Sequence, residues 1–176
     1  STGGFSTKDS SLGHWNSIKI EMVVMLGFLL AAINFTLHAR SIEKKRFNYA
    51  SDSEFKSFMG LIAVGVLIIT LLLNLEGFSF GTALRNASFN VVTLATSGGY
   101  GNALGRGESG DFASWPGSTQ LLLLFFIVIG GCTGSTSGGV KIMRFRIGIA
   151  HAYRILRSIR RPSALIRARM GNKTIP

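Results

Sequence analysis

Three long stretches of this chain carry no charge, and they limit its possible folds more than any other feature. Residues 22–37, 58–75 and 112–140 contain no Asp, Glu, Lys, Arg or His. Apolar segments of roughly 17–25 residues cross a hydrocarbon layer about 30 Å thick. The expected fold class is therefore all-α integral membrane, with three membrane-embedded segments. The alternative is the buried helical core of a soluble protein.

The charges that remain set an orientation. The net charge is +11, and Asp111 is the last acid in the chain. Beyond it come Lys141, Arg144, Arg146, Arg154, Arg157, Arg160, Arg161, Arg167, Arg169 and Lys173. Lys and Arg concentrate in cytoplasmic loops. The loop over 40–56, with Arg40, Lys44, Lys45, Arg46 and Lys56, is then inside. The loop over 101–117, with Arg106 alone, is outside, and the tail after Lys141 is inside again. Trp15 and Trp115 each precede an inward-going span, at the outer interface that indoles favour.

One apolar stretch breaks this parity. Residues 78–96 include Arg85, Asn86, Asn90 and Thr93, and they begin outside. A full crossing would put the basic tail outside. A re-entrant half-helix over about 81–95, returning through Thr96 to Gly101 as extended chain, keeps the parity. Non-helical backbone at membrane depth is tolerated where it is buried in protein or lines a water-filled cavity. The helix C-terminus would turn its partial negative charge toward that cavity, which favours a cation.

Two short Ser/Thr/Gly strands fit such a cavity. They are Ser1-Thr2-Gly3-Gly4-Phe5 and Thr96-Ser97-Gly98-Gly99-Tyr100, the second followed by Gly101. Rings of backbone carbonyls replace the hydration shell of a potassium ion without fixed charge. A third feature lies in the last apolar stretch. As one helix, 118–158 would run about 60 Å, twice the hydrocarbon thickness. Its middle reads Gly130-Gly131-Cys132-Thr133-Gly134-Ser135-Thr136-Ser137-Gly138-Gly139, five glycines in ten residues. Each costs roughly 1 kcal/mol against alanine in a helix, so a break is expected there. Breaks of this kind mark ion pathways in transporters. A small polar loop at that depth can plug a pore and move aside.

The sequence resembles the TrkH/KtrB superfamily of bacterial potassium transporters. The resemblance rests on Ser1-Thr2-Gly3-Gly4-Phe5-Ser6-Thr7, on Asn34-Phe35-Thr36-Leu37-His38, and on Gly130 through Lys141 with Arg144, and it covers essentially the whole chain. In that family one polypeptide holds four repeats of helix, half-helix with filter strand, and helix, around one pore. The resemblance implies that this chain carries the second filter strand, the last helix of the second repeat and the whole third repeat. It maps the filter glycines to Gly4 and Gly99, and places K+, as the transported substrate, on carbonyls of Thr2, Gly3, Ser97 and Gly98. It maps the intramembrane gate to 130–140 with Lys141. It also implies a homodimer in the bacterial inner membrane, a cytoplasmic ring of nucleotide-binding regulatory subunits, and the remaining repeats of a parent chain as partners. The family's third filter more often reads Thr-Thr-Thr-Gly-Phe, so Thr96-Ser97-Gly98-Gly99-Tyr100 bears on how strictly potassium is preferred over sodium.

The chain is expected to fall into seven successive segments. Residues 1–17 form a filter strand and outer linker, 18–39 a transmembrane helix, 40–56 a cytoplasmic loop, and 57–76 a second transmembrane helix. Residues 77–117 hold the re-entrant helix, filter strand and outer loop. Residues 118–158 form a broken helix, and 159–176 a basic cytoplasmic segment. A chain opening on Ser1 inside a motif, with no Met, is expected to be a fragment or processed piece. Cys132 is the only cysteine, so no internal disulfide is possible, and its small neighbours suggest a tight loop.

Other readings are weaker. The loop lacks the Lys-Ser/Thr pair of a phosphate-binding loop, since Val140 follows Gly139 and Ile142 follows Lys141. Gly105-Arg106-Gly107-Glu108-Ser109-Gly110 fits a dinucleotide fingerprint literally, with no strand before it. Arg154 to Arg169 is expected to be an amphipathic helix at lipid headgroups, and without an aromatic platform it is not expected to bind nucleic acid. His38 and Asn34 are expected to cap a span end. Glu21 is expected to be a solvated interfacial acid, and Lys141 and Arg144 either latch the loop or anchor at the lipid surface. No catalytic constellation or covalent cofactor is expected. The alternative function is a membrane-anchored interaction module whose basic tail recruits acidic lipid or protein.

Overall fold

The computed structural model describes residues 3–45, 49–160, 168–170 and 173–175. Six helices carry the fold: α1 Ile18–Ala32, α2 Phe35–Glu43, α3 Ser53–Leu75, α4 Phe80–Ala95, α5 Gly117–Ile129 and α6 Ile142–Arg160. An antiparallel pair, β1 Ala168–Met170 and β2 Lys173–Ile175, lies in the tail, with Arg169 opposite Thr174.

Among the described residues α3 alone is long and apolar enough to cross a membrane as one helix. At 1.5 Å per residue its 23 residues span about 35 Å. Asp52 caps its start by accepting from the Phe55 amide at 2.8 Å. Its end is closed by Gly77 at φ 95, with the Phe78 amide on the Leu73 carbonyl at 3.1 Å and the Gly77 amide on Asn74 at 3.1 Å.

Helix α4 starts on the Ser79 cap, whose hydroxyl accepts from the Thr82 amide. It runs 16 residues, about 24 Å, and stops short of a full crossing. Its Ala83, Ala87 and Val91 pack against Phe58, Ile62, Ile69 and Leu73 of α3 and Leu123 and Phe126 of α5. Gly65 admits the Phe126 ring, since a Cβ there would collide with it. Around this core the outer faces of the helices stay apolar and uncovered, at Val23 and Leu26 of α1, Leu67 and Leu71 of α3, and Leu121 and Leu124 of α5. Such surface is expensive in water and at home in lipid or against further transmembrane helices.

Three expectations are corrected here. The span expected over 18–39 is two helices, bent by 93° at Ile33–Asn34. Asn34 Oδ1 accepts from the Thr36 amide at 2.8 Å and starts α2 afresh. The Ala32 and Ala31 carbonyls freed at the end of α1 accept from the Cys132 and Thr136 amides, so residues 130–141 supply partners at the break. Trp115 is packed inside the protein and does not present its indole at the surface. It is 3% exposed, with its indole N–H on the Ser109 carbonyl at 3.0 Å, whereas Trp15 is 47% exposed. The helix expected over Arg154–Arg169 ends at Arg160, and Arg169 lies in β1. Pro162 lies two residues beyond that end and cannot donate a helical hydrogen bond.

Candidate functional site

The two glycine strands meet. Ser1 and Thr2, expected in the first, lie outside the described residues. Gly3 and Gly4 follow at φ 139 and 67, and the Gly4 amide donates to the Gly98 carbonyl at 3.0 Å. Across the junction Tyr100 donates its hydroxyl to the Phe5 carbonyl at 3.0 Å. A Cβ on Gly4 would overlap the Gly99 carbonyl, and one on Gly99, at φ 76, would stand 3.0 Å from the Gly4 nitrogen. Glycine is required at both positions by conformation and by space.

The second strand hangs from the end of α4. The Thr93 carbonyl accepts from Gly98 at 2.7 Å and Gly99 at 3.3 Å, and its hydroxyl accepts from the Tyr100 amide at 2.9 Å. Thr96 turns its hydroxyl back to the Val92 carbonyl at 2.7 Å. The Phe28 ring of α1 stacks on Tyr100 at 5.6 Å and lies 3.0 Å from where a Gly98 side chain would start. The strand is thus fixed by a threonine and an aromatic wall, with no charge among these contacts.

Residues 130–141 sit against this strand. The Gly138 amide donates to the Ser97 hydroxyl at 2.9 Å, and the Ser137 hydroxyl reaches the Ala95 carbonyl at 3.4 Å. On another side the loop takes up the end of α1. Cys132 N–H bonds to the Ala32 carbonyl at 3.0 Å and Thr136 N–H to Ala31 at 3.2 Å, while the Gly134 carbonyl accepts from Phe35 at 3.0 Å. Inside the loop the Gly131 amide meets the Ser137 hydroxyl at 3.0 Å, and the Ser135 hydroxyl bonds to the Cys132 carbonyl at 2.6 Å. Gly130 and Gly139, at φ 69 and 75, close its neck, where Val140 bonds back to Val128 at 2.9 Å. Cys132 is buried, in line with a tight loop.

Lys141, one of whose expected roles was a lipid-surface anchor, turns into the loop instead. Its ammonium contacts the Ser137 carbonyl and lies 3.5 Å from the carbonyl and hydroxyl of Ser135. Loop carbonyls with no helix to satisfy them offer it acceptors. Arg144 is exposed. His38 caps the broken span, with its ring on the Leu30 carbonyl and the Tyr49 hydroxyl, both at 2.9 Å.

Glu21 departs most from expectation. It is 1% exposed and fully engaged by Arg85, so it is a buried structural partner and not a solvated acid. Sequence reasoning also missed Glu54, whose carboxylate accepts from the Thr133 amide of the loop at 2.7 Å. An acid beside an N-cap reads as ordinary helix punctuation, and its loop partner lies 79 residues away. The polar stripe of α4 is likewise structural. Asn90 donates to the Asn86 carbonyl at 3.0 Å, the Asn102 side chain at 3.2 Å and the Gly110 carbonyl at 3.3 Å, pinning the loop that follows the second glycine strand.

The whole chain, residues 1–176, matches the family model described as TrkH, cation transport protein. The chain belongs to that family. It is 34% identical over 99% of its length to the Trk system potassium uptake protein TrkH of Halomonas elongata. It is 33% identical to the TrkH protein of Escherichia coli K12 and 36% to that strain's TrkG, each over 99% of this chain. Its structure matches the crystal structure of the potassium transporter TrkH from Vibrio parahaemolyticus with a TM-score of 0.88, at 32% identity, over 99% of this chain and 37% of that one. The chain spans about a third of the length of these curated relatives, 35% in each of the three named above. Family and fold make it a multi-pass protein of the bacterial inner membrane. The TrkH-family fold is helical, and the short hairpin here is confined to the basic tail.

Proposed function

We propose that this TrkH-family chain forms part of the pore of a potassium uptake protein. Backbone carbonyls of Thr2, Gly3, Ser97 and Gly98 coordinate the ion, and residues 130–141 gate its path. The relatives named above are potassium uptake proteins, which supports K+ as the substrate. The observation that carries the reading is the three-way junction. Gly4 is paired with Gly98, and the neighbouring Ser97 holds the Gly138 amide of the glycine-rich loop. The paired Gly98 carbonyl keeps a second lone pair for an ion. The loop packs against the filter strand through neutral hydrogen bonds, each worth about 1 kcal/mol net, so it is held closed by contacts that can be exchanged for water. A homodimer, a ring of nucleotide-binding regulatory subunits on the cytoplasmic side and further repeats of the same polypeptide complete the proposed assembly.

The alternative of a membrane-anchored interaction module explains neither the Gly4–Gly98 pairing nor the position of the loop against Ser97. The test is deletion of residues 132–137 in the full-length parent, reconstituted in liposomes. A gate predicts raised rubidium flux from folded protein. Unchanged or reduced flux from folded protein contradicts it.

A further inference from the structure

Among the described residues the loop hydrogen-bonds to one acid, and the filter and gate described above do not use it. Glu54 lies in the first turn of α3, is 6% exposed, and accepts from the Thr133 amide at 2.7 Å. Its neighbour Ser53 faces a different element. Arg146 of α6 donates to the Ser53 carbonyl at 2.8 Å and its hydroxyl at 3.3 Å. Two adjacent residues at the inner end of α3 therefore hold the loop on one side and the helix that follows the loop on the other.

Among the described residues, the loop's hydrogen bonds to Ala31, Ala32, Phe35, Ala95 and Ser97 run to neutral groups. A carboxylate is the stronger acceptor, because a charge-assisted hydrogen bond is roughly twice as strong as a neutral one. Its position also suits release. The amide dipoles at the start of α3 favour a negative charge there. A small withdrawal from Thr133 would return the carboxylate to water at the cytoplasmic end, so the open arrangement strands no charge. The loop amide, freed in turn, can be hydrated from the same side.

We infer that Glu54 is the latch that holds the loop shut, and that the Arg146–Ser53 contact lets α6 act on it. Movement of α6 would draw on the α3 terminus, separate Glu54 from Thr133 and free the loop. This inference rests on the reading of residues 130–141 as a gate. Glu54 acts on the ion path through the loop and is a positioning residue.

The test uses the full-length parent in liposomes, with wild type, Glu54→Ala, Glu54→Gln and the 132–137 deletion compared for rubidium and sodium flux at matched protein and matched thermal stability. Loss of a hydrogen bond to a charged group, about 1.5–3 kcal/mol, corresponds to roughly tenfold or more in an equilibrium. Glu54→Ala is therefore expected to raise resting rubidium flux about tenfold with the rubidium-to-sodium ratio unchanged. Glu54→Gln, which keeps a neutral acceptor in place, should raise it less. A deletion that opens the path while both Glu54 variants behave as wild type overturns the latch and leaves the gate standing. A deletion that opens nothing overturns the gate, and the latch with it. A Glu54 variant that changes the ion ratio, or lowers flux at wild-type stability, also overturns the latch. Should Glu54→Ala not fold, the near-isosteric Glu54→Gln decides: raised flux supports the latch and wild-type flux overturns it.

Discussion

Arg85 grips both carboxylate oxygens of Glu21, with Nε 3.0 Å from Oε2 and Nη2 2.7 Å from Oε1. The same Nη2 also reaches the Asn16 side chain at 3.0 Å. Helix α4, which carries the candidate filter strand, is thereby clamped in its N-terminal half to the start of α1. The opposite end of α1 carries the broken turn on which the loop 130–141 rests. One helix therefore registers both the filter strand and the loop.

Removing one member of a fully buried pair costs about 3–5 kcal/mol, because the other charge is left without its partner. The Arg85 side chain is 29% exposed, so its charge can be partly rehydrated. Glu21→Ala is accordingly expected to lower the unfolding free energy of the purified parent by about 2–4 kcal/mol. Glu21→Gln should cost less. Thermal unfolding in detergent checks both, and a Glu21→Ala protein as stable as wild type would show that the clamp contributes nothing.

The α3–α5 contact rests on a missing side chain. A Cβ at Gly65 would run into the Phe126 ring. Gly65→Val should therefore destabilise by about 1–3 kcal/mol through overpacking. Pairing it with Phe126→Leu should recover part of that loss. Additive costs in a double-mutant cycle would contradict the contact.

Ser97 joins the candidate filter strand to the loop through its side chain, not its backbone. Ser97→Ala removes the acceptor for the Gly138 amide, a loss of about 1 kcal/mol, or roughly a factor of five in an equilibrium. Resting rubidium flux should rise by about that factor in the reconstituted parent. Flux equal to wild type would mean that this hydrogen bond does not hold the loop closed.

Asn90 is fully buried, and it ties α4 to the loop before α5 through Asn102 and Gly110. Asn90→Leu has similar volume but strands their oxygens, which should cost about 2–3 kcal/mol. Faster proteolysis within residues 101–111 is the expected sign. Wild-type cleavage rates would count against the role given to this network.

Much of the fold was legible in local chemistry. The uncharged run 58–75 marked α3, and the apolar stretch 78–96 with its polar residues marked the shorter α4. Five glycines in 130–139 marked the break between α5 and α6. The bend at Ile33–Asn34 was not legible, because it depends on Cys132 and Thr136, a hundred residues away, taking up the freed carbonyls of Ala32 and Ala31. Glu21 and Glu54 were missed for the same reason. Glu21 looked like an acid at a helix start and Glu54 fell in the loop over 40–56, and each is buried by a partner that only the tertiary fold brings near. The burial of Trp115 was not legible either, since the loop that precedes it folds over its indole.

The central claim is that Gly4 and Gly99 hold a carbonyl filter for potassium. A side chain at Gly99 must enter a positive-φ position only 3.0 Å from the Gly4 nitrogen. The most direct measurement is rubidium against sodium uptake by liposomes holding the full-length parent, with and without Gly99→Ser. The filter predicts rubidium-selective uptake in the wild type and lost selectivity or lost uptake in the folded mutant. Undiminished, equally selective uptake by Gly99→Ser would contradict it.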